Sequence, residues 1–339
     1  MLDQVLEAFE ITPDYDLDLM QPGQTLLQST ARILAGLEPV IEHERPEMVV
    51  VQGDTTTTFC GALAAFYQGI PVSHVEAGLR TGDVRQPFPE EMNRLLTSRL
   101  SALHFAPTQE AADNLVREGI DPRAIEVTGN TGIDAVIQVR DGLESGRLKG
   151  FTDLHLNPSK KLVLVTAHRR ESFGDGFECI CRALVELASR EHVQIVFPVH
   201  PNPNVRRPVE QHLAGHDNIL LLEPLGYVTF VDLMRNAHMI LTDSGGIQEE
   251  APCLGKPVLV LREKTERPEA VAAGTARTVG TSVARIVSES IRLLEDKEAW
   301  SRMARVHNAF GDGKASQRIA TRIGVYLQSV FARRLDKPQ

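Results

Sequence analysis

Short apolar runs, loops and amphipathic helices follow one another along most of the chain. Apolar residues between Leu26 and Ile41 recur at helical spacing, and Pro46 follows as a stop signal. Uniformly apolar runs at 48–52, 71–75 and 102–106, and one ending at 127–128, predict buried strands. Such strands between helices are typical of a parallel sheet covered on both faces.

The same rhythm starts again after residues 150–161, which are polar and rich in turn-forming residues and predict a linker. The second set of predicted strands covers 162–166, 193–199, 219–222, 239–242 and 258–261. We therefore predict an α/β protein of two Rossmann-like, doubly wound parallel-sheet domains that face a cleft. Residues 1–150 form the first domain and 151–314 the second. In the C-terminal segment 315–339, a helix is predicted to cross back to the first domain.

Composition narrows the classes of function. A chain of 339 residues fits two domains of ordinary size. A net charge of −9 argues against nucleic acid or an anionic membrane as the main partner, although it allows a local cationic pocket. No apolar stretch is long enough for membrane insertion, and the first twenty residues carry six acids and no Lys or Arg. We therefore predict a cytoplasmic protein. The four scattered cysteines predict buried thiols and no metal site.

Candidate chemistry lies where the predicted strands end, because ligands of open parallel sheets bind beyond the carboxyl ends of the strands. Acids and histidines follow five of these strands: Gly53-Asp54, 74–80 with Glu76, 166–171 with His168, His200, and Asp243-Ser244-Gly245-Gly246. Structural roles remain open for each group. Asp54 or Thr55 could cap a helix, Glu76 could be a solvated loop acid, and His200 could belong to a rigid turn. His168 could be part of a surface charge cluster, and the acid pairs Glu90-Glu91 and Glu249-Glu250 could simply favour helix starts.

Ser244-Gly245-Gly246 suggests an anion site, because glycines after a strand let the N–H groups of a helix start approach a phosphate. The segment is neither a Walker loop nor a dinucleotide fingerprint. Glu249 or Glu250, farther along the same predicted helix, could accept hydrogen bonds from ribose hydroxyls. The residues themselves therefore predict a nucleoside diphosphate in the second domain.

Taken together, the motifs resemble those of the bacterial non-hydrolysing UDP-N-acetylglucosamine 2-epimerases. The resemblance rests on Gly-Asp-Thr-Thr-Thr-Thr at 53–58, His-Val-Glu-Ala-Gly-Leu-Arg-Thr at 74–81, Pro-Phe-Pro-Glu-Glu-Met-Asn-Arg at 87–94, Thr-Gly-Asn-Thr at 128–131, Thr-Ala-His-Arg-Arg-Glu at 166–171, Leu-Thr-Asp-Ser-Gly-Gly-Ile-Gln-Glu-Glu-Ala-Pro at 241–252, Thr-Glu-Arg-Pro-Glu at 265–269 and Gly-Asp-Gly at 311–313. They occur in the family's order.

This resemblance implies a fold like that of the GT-B glycosyltransferases and a reversible reaction. UDP-N-acetylglucosamine and UDP-N-acetylmannosamine are interconverted by elimination of UDP to a 2-acetamidoglucal and its re-addition, which supplies surface polysaccharide synthesis. The resemblance further implies a homodimer that needs no cofactor.

By motif position, Asp54, Glu76 and Glu90 resemble the family's catalytic carboxylates, and His168 its catalytic histidine, which contacts the diphosphate. Our working hypothesis gives proton transfer to Asp54 and Glu76 and a supporting role to Glu90. The UDP-sugar-binding set comprises these residues apart from Glu90, together with Leu225 and Phe230 on the uracil side, and Ser244, Gly245, Gly246, Glu250 (for ribose) and Arg267. Arg32, Arg170 and His200 resemble positions that bind a second, activating UDP-N-acetylglucosamine in some bacterial members.

Two departures from the family pattern leave other functions open. The family starts with a strand and a Gly-Thr-Arg-Pro-Glu loop, whereas this sequence starts inside a predicted helix and is expected to lack that first strand-loop-helix unit. Asn308-Ala309-Phe310 replaces the family's Asn-Pro-Tyr. The alternatives are a GT-B-type glycosyltransferase, a hydrolysing epimerase that releases free N-acetylmannosamine, and an inactive UDP-sugar-binding module.

Overall fold

The computed structural model describes residues 2–151, 154, 156–265, 267–305 and 309–335. Contacts divide the chain into two compact units. The N-terminal unit contains residues 12–134 and 310–339, and the C-terminal unit contains residues 1–11 and 135–309. This grouping differs from the predicted limits at residues 150 and 314. Those limits stay a prediction of where separately folding domains begin and end.

Helices and strands alternate through both units. In chain order, the elements up to residue 144 are α1 (Leu2–Ala8), α2 (Leu26–Glu44), β1 (Val49–Gln52), α3 (Thr56–Tyr67), β2 (Val72–Val75), α4 (Glu90–Leu100), β3 (Leu103–Ala106), α5 (Gln109–Arg117), β4 (Ile125–Val127) and α6 (Thr131–Glu144). They are followed by β5 (Lys161–Thr166), α7 (Asp175–Ala188), β6 (Val193–Pro198), α8 (Pro203–Leu213), β7 (Ile219–Leu222), α9 (Tyr227–Asn236), β8 (Met239–Thr242), α10 (Gly245–Cys253), β9 (Val258–Val260), α11 (Pro268–Ala272), β10 (Ala276–Thr278), α12 (Val283–Glu295), α13 (Lys297–Met303) and α14 (Ala315–Leu335).

The N-terminal unit is built on a four-stranded parallel sheet in the order β1-β2-β3-β4. The register places Val51 beside His74 and His74 beside His104, so both histidines lie in the interior of the sheet. Ile319 of α14 belongs to the buried cluster formed with strands β2 and β3. The C-terminal helix therefore covers part of this sheet.

The C-terminal unit contains a six-stranded parallel sheet in the order β10-β9-β8-β5-β6-β7. The chain adds β6 and β7 on one side of β5 and then returns to place β8 on the other side. The strand order therefore reverses between β5 and β8. In open α/β sheets such a reversal opens the crevice in which ligands bind.

The predicted fold class, with two parallel sheets and helices between the strands, is confirmed. The predicted strands also exist, with limits that agree to within one residue. The edge strand β10 was missed, because its three residues, Ala-Arg-Thr, are too short and polar to give a strand pattern. Of the predicted linker 150–161, residues 152, 153 and 155 lie outside the described residues, and the rest contains neither helix nor strand before Lys161. In the described part of the chain, no helix is both long and apolar enough to cross a bilayer.

One glycine explains how the loop after β2 packs so closely on α5. Gly78 has a φ of +90°, and a Cβ atom there would lie 2.1 Å from the carbonyl oxygen of Ala111. A side chain at this position is therefore excluded both by the backbone conformation and by the lack of space.

We expect Gly78→Ala to lower the free energy of unfolding by more than the cost of positive φ alone, which is about 1–2 kcal/mol. The matched control is Gly119→Ala, because Gly119 has a φ of +82° with no atom within 4 Å of an added Cβ. Urea denaturation followed by circular dichroism gives both values. Equal losses in the two variants would show that the contact with Ala111 relaxes without cost.

Candidate active site

Two acids of the N-terminal unit lie side by side where β1 and β2 end. Asp54 follows the Gly53 turn after β1, and Glu76 follows β2 directly. The Glu76 carboxylate oxygen Oε2 lies 3.3 Å from the point that a Cβ atom on Gly53 would occupy. Glu76 itself has a φ of +64°, which is uncommon for a residue other than glycine. The fold thus holds a strained acid next to the Gly53-Asp54 turn, as often found at functional sites.

Asp54 is held by α4 rather than acting as a helix cap. The Arg94 guanidinium donates to Asp54 Oδ2 at 2.7 Å and 2.9 Å, and the Asn93 amide donates to the Asp54 carbonyl at 2.9 Å. The cap of α3 is Thr55, whose hydroxyl accepts the N–H of Thr58. Of the two residues considered as a helix cap, Asp54 and Thr55, it is therefore Thr55 that caps α3. Arg94 and Asn93 were missed, although both lie in the 87–94 motif.

The two acids that begin α4 have different surroundings. Glu91 is 1% exposed and accepts hydrogen bonds from Arg94 and from the backbone N–H groups of Thr81 and Gly82. It organises the loop, and both of its carboxylate oxygens are already engaged by hydrogen bonds within the protein. Glu90 is half-buried, and its Oε2 accepts no hydrogen bond from any described residue. Of the pair, Glu90 is the acid available for chemistry.

A buried histidine fixes the turn that carries Asp54. His74 is fully buried, and its Nε2–H donates to the Gly53 carbonyl at 2.7 Å. Burial lowers the pKa of His74 to about 4, so the ring is neutral at physiological pH. The sequence showed His74 only as part of a motif. Its contact with the Gly53 carbonyl places it behind the turn that carries Asp54.

In the C-terminal unit, candidate residues gather at the reversal between β5 and β8. The hydroxyls of Thr166 and Thr242 are 2.7 Å apart at the ends of these strands. His168 follows β5, and Asp243 follows β8. Asp243 Oδ2 accepts the backbone N–H groups of His168 and Arg169 at 2.7 Å and 2.8 Å. The two loops are thereby tied together.

His168 is half-buried and stacks on His200, with ring centroids 5.4 Å apart and planes inclined by 17°. Its pKa is lowered, mainly by burial and further by His200 and Arg169, while Asp243 acts in the opposite direction. His168 is thus no member of a surface charge cluster. Its ring lies beside His200 and Asp243, next to the reversal between β5 and β8.

The predicted anion cradle begins α10. Ser244 is the residue before the helix, and its side chain accepts no hydrogen bond from the first backbone N–H groups of α10. A Cβ atom on Gly245 would lie 3.7 Å from the Arg267 guanidinium and 4.0 Å from that of Arg169. Two cations therefore flank the positive end of the helix. Arg169 was missed, because it sits among several charged residues in the sequence.

The acid pair on α10 also divides into two roles. Glu249 forms an ion pair with Arg267. Glu250 has its Oε1 3.8 Å from the Cβ position of Gly246, next to the cradle. Burial, with a smaller effect of Glu249, raises the pKa of Glu250 to about 8. Tyr227 lies nearby, since Glu250 contributes to the raised pKa of its phenol. Leu225 and Phe230 lie on the loop before α9 and on that helix, on either side of Tyr227 in the sequence.

The three residues predicted for a second nucleotide sugar are found in both units. Arg32 lies on α2 of the N-terminal unit and donates to Gln24 Oε1 at 2.8 Å. Arg170 begins a single 3₁₀ turn, Arg170–Ser172, and His200 contacts His168, both in the C-terminal unit. Among the described residues, no three His, Cys, Asp or Glu side chains form a cluster that could hold a metal ion.

The raised pKa of Glu250 predicts a pH-dependent stability. The folded protein retains a proton on this carboxyl group that the unfolded chain releases near its ordinary pKa of 4.5, so stability falls as pH rises from about 4.5 to about 8. Glu250→Gln, which cannot ionise, should match the wild type near pH 5 and exceed its free energy of unfolding near pH 9 by a few kcal/mol.

The single tryptophan, Trp300, lies in the same unit and reports its urea denaturation by fluorescence. Glu191→Gln, at an exposed position, is the control and should follow the wild type at both pH values. A difference between Glu250→Gln and wild type that stays constant with pH would contradict the assignment.

Several known proteins are similar to this chain over most of its length. The family model of UDP-N-acetylglucosamine 2-epimerase matches residues 1–324. The UDP-N-acetylglucosamine 2-epimerase of Salmonella typhimurium is 56% identical over 335 residues, covering 97% of this chain and 89% of the relative. The enzyme of that name from Escherichia coli K12 is 56% identical over 94% of this chain and 86% of the relative.

Among solved structures, the UDP-GlcNAc 2-epimerase from Neisseria meningitidis bound to UDP-GlcNAc superposes with a TM-score of 0.89. It is 48% identical, and the match covers 95% of this chain and 88% of that one. The range matched by the family model includes the segments that carry both groups of candidate residues. This chain belongs to the UDP-N-acetylglucosamine 2-epimerase family.

Proposed function

We propose that this protein interconverts UDP-N-acetylglucosamine and UDP-N-acetylmannosamine by eliminating and re-adding UDP, without a cofactor. The proposal rests on the different chemical groups that the two units supply. One presents Asp54, Glu76 and Glu90 at the ends of its strands, and the other presents an uncapped helix start flanked by Arg169 and Arg267. Relatives that carry the epimerase name share about half of this sequence.

The chemistry explains why both sets of groups are needed. The C2 hydrogen of the sugar is not adjacent to a carbonyl group, so its removal alone would leave an unstabilised carbanion. In the elimination, a carboxylate takes the C2 proton, the C1–C2 double bond forms, and the C1–O bond breaks with its electron pair leaving on UDP. In the reverse step UDP attacks C1 and a proton is delivered to the other face of C2. Such a reaction requires acid–base groups near C2 and a cationic site for the leaving diphosphate.

The roles proposed for individual residues follow from their surroundings. Asp54 and Glu76 transfer protons, and Arg94 holds Asp54 in place. Glu90, whose Oε2 accepts no hydrogen bond from a described residue, supports them. In the C-terminal unit, His168 and the start of α10 at Ser244, Gly245 and Gly246 hold the diphosphate with Arg267. To that set we add Arg169, because its guanidinium lies beside the same helix start.

The remaining nucleotide contacts are assigned along the same unit. Glu250 accepts hydrogen bonds from ribose, which its position next to Gly246 favours. Leu225 and Phe230 contact the uracil side. We further propose that Arg32, Arg170 and His200 bind a second UDP-N-acetylglucosamine, that the protein is a cytoplasmic homodimer, and that its product serves surface polysaccharide synthesis.

The direct test is to incubate the protein with UDP-N-acetylglucosamine alone in heavy water. We expect UDP-N-acetylmannosamine to appear and deuterium to enter the sugar at C2, as followed by proton NMR and mass spectrometry. No acceptor is supplied, so a glycosyltransferase would leave the sugar unlabelled. Free N-acetylmannosamine with UDP would indicate a hydrolysing enzyme. UDP binding by calorimetry without labelling would indicate a binding module. Each of these three outcomes overturns the proposal.

The role assignment predicts separate effects on turnover and on nucleotide binding. Asp54→Asn, Glu76→Gln and Glu90→Gln should each lower kcat at least about 100-fold, because each removes an acid–base group near the reacting carbon. Glu250→Ala should weaken UDP binding, whereas the three carboxylate variants should retain it. Glu110→Gln, at an exposed position on α5, is the control with unchanged rate. Wild-type rates in all three carboxylate variants would contradict the assignment.

A further inference from the structure

Asp243 has a burial that its backbone contacts alone do not explain. It is 0% exposed and lies between the end of β8 and the start of α10. One oxygen, Oδ2, accepts the N–H groups of His168 and Arg169. The other oxygen, Oδ1, accepts no hydrogen bond from any described residue. Leaving a buried carboxylate oxygen without a donor is costly, so a donor that reaches it under working conditions is expected.

A side-chain donor close to Asp243 Oδ1 is the imidazole of His168. Its Nδ1 lies 3.6 Å from Asp243 Oδ1. This separation is too long for a hydrogen bond. Hydrogen bonds of catalytic groups are often long without ligand and shorten when the substrate is bound. We expect the contact between His168 Nδ1 and Asp243 Oδ1 to shorten in this way.

Stacking limits the ways in which the ring can respond. The His200 ring lies nearly parallel to that of His168, so it favours rotation within the ring plane over tilting. With Nδ1–H directed at Asp243, Nε2 is on the far side of the ring. A neutral imidazole protonated at Nδ1 has an unprotonated Nε2, which can take up a proton and then donate it.

We propose that Asp243 is a positioning residue, which holds neutral His168 as the Nδ1–H tautomer, so that Nε2 takes up a proton from water when the diphosphate binds and donates this N–H to a diphosphate oxygen. The contact between Nε2 and the diphosphate rests on the proposed function, whereas the tautomer does not. The charged groups that face His168 are Asp243, His200 and Arg169. Of these, only Asp243 raises its pKa. Asp243 therefore supports the protonated form as well as the orientation of the ring.

A simpler role for Asp243 would be to tie the loop after β5 to β8 through Oδ2 alone. Asp243→Asn separates the two roles. The amide oxygen can still accept the N–H groups of His168 and Arg169, but the NH₂ group then faces Nδ1 of His168. Because an NH₂ group only donates, the favoured tautomer of His168 changes to Nε2–H.

The decisive measurement is the tautomer of His168 in protein labelled with ¹⁵N at histidine. Long-range ¹H–¹⁵N NMR spectra are recorded near pH 8, where imidazoles are largely neutral. His168 is assigned by its absence from the spectrum of His168→Gln. We expect Nδ1–H in the wild type and Nε2–H in Asp243→Asn. The control is Asp232→Asn, another buried acid of this unit that pairs with Arg235, and it should leave the His168 signals unchanged.

Kinetics tests whether Asp243 acts through His168. Asp243→Asn should lower kcat on the order of 100-fold, as expected when a catalytic group is misplaced, while UDP affinity changes little. The double variant with His168→Gln should be no slower than His168→Gln alone. Multiplicative losses in the double variant would overturn the proposal.

An Nε2–H tautomer in the wild type, or an unchanged one in Asp243→Asn, would also overturn the proposal. The wild-type measurement needs no variant, so it decides even if Asp243→Asn fails to fold. It is also independent of turnover. A protein that does not epimerise its substrate but shows the expected tautomers refutes the proposed function and leaves this inference in place.

Discussion

The candidate site depends on one constraint, the parallel direction of neighbouring strands. Because parallel strands end at the same edge of a sheet, residues far apart in the chain are delivered to one place. In the N-terminal unit this brings the turn after β1 next to the acid after β2. In the C-terminal unit it brings the histidine after β5 next to the helix start after β8. The candidate side chains of each unit are those that directly follow these strands.

In each of two pairs of adjacent acids, the two side chains have different surroundings. Glu91 and Glu249 are buried and hold Arg94 and Arg267, respectively. Among the described residues, their neighbours Glu90 and Glu250 form no such ion pair; Glu90 Oε2 accepts no hydrogen bond there, and Glu250 Oε1 lies beside the Cβ position of Gly246. Burying a charged side chain is unfavourable without a partner, so one acid of each pair supplies an arginine with its counter-charge. The other acid is left with the unusual surroundings typical of functional groups.

Much of this could be predicted from the sequence, because strands that are apolar throughout and glycine after a strand are strong local signals. The parallel sheets and the anion cradle at Gly245 follow from such signals. Local patterns could not show that Arg94 reaches Asp54, that His74 binds the Gly53 carbonyl, or that Arg169 lies beside α10. Each of these contacts joins residues on different elements. The division of the chain into units also depends on α14 returning to the N-terminal sheet.

The reversal of strand order in the C-terminal unit has a consequence for how this site comes into existence. Thr242 follows Thr166 by 76 residues, and the chain passes through β6 and β7 before it returns with β8 beside β5. The loop closure is unfavourable until that last pairing forms. The nucleotide site proposed at this reversal consequently depends on the finished sheet rather than on any sub-fragment. A nucleotide bound there stabilises the cooperatively folded unit as a whole. The amount of bound nucleotide therefore reports the fraction of protein that is completely folded.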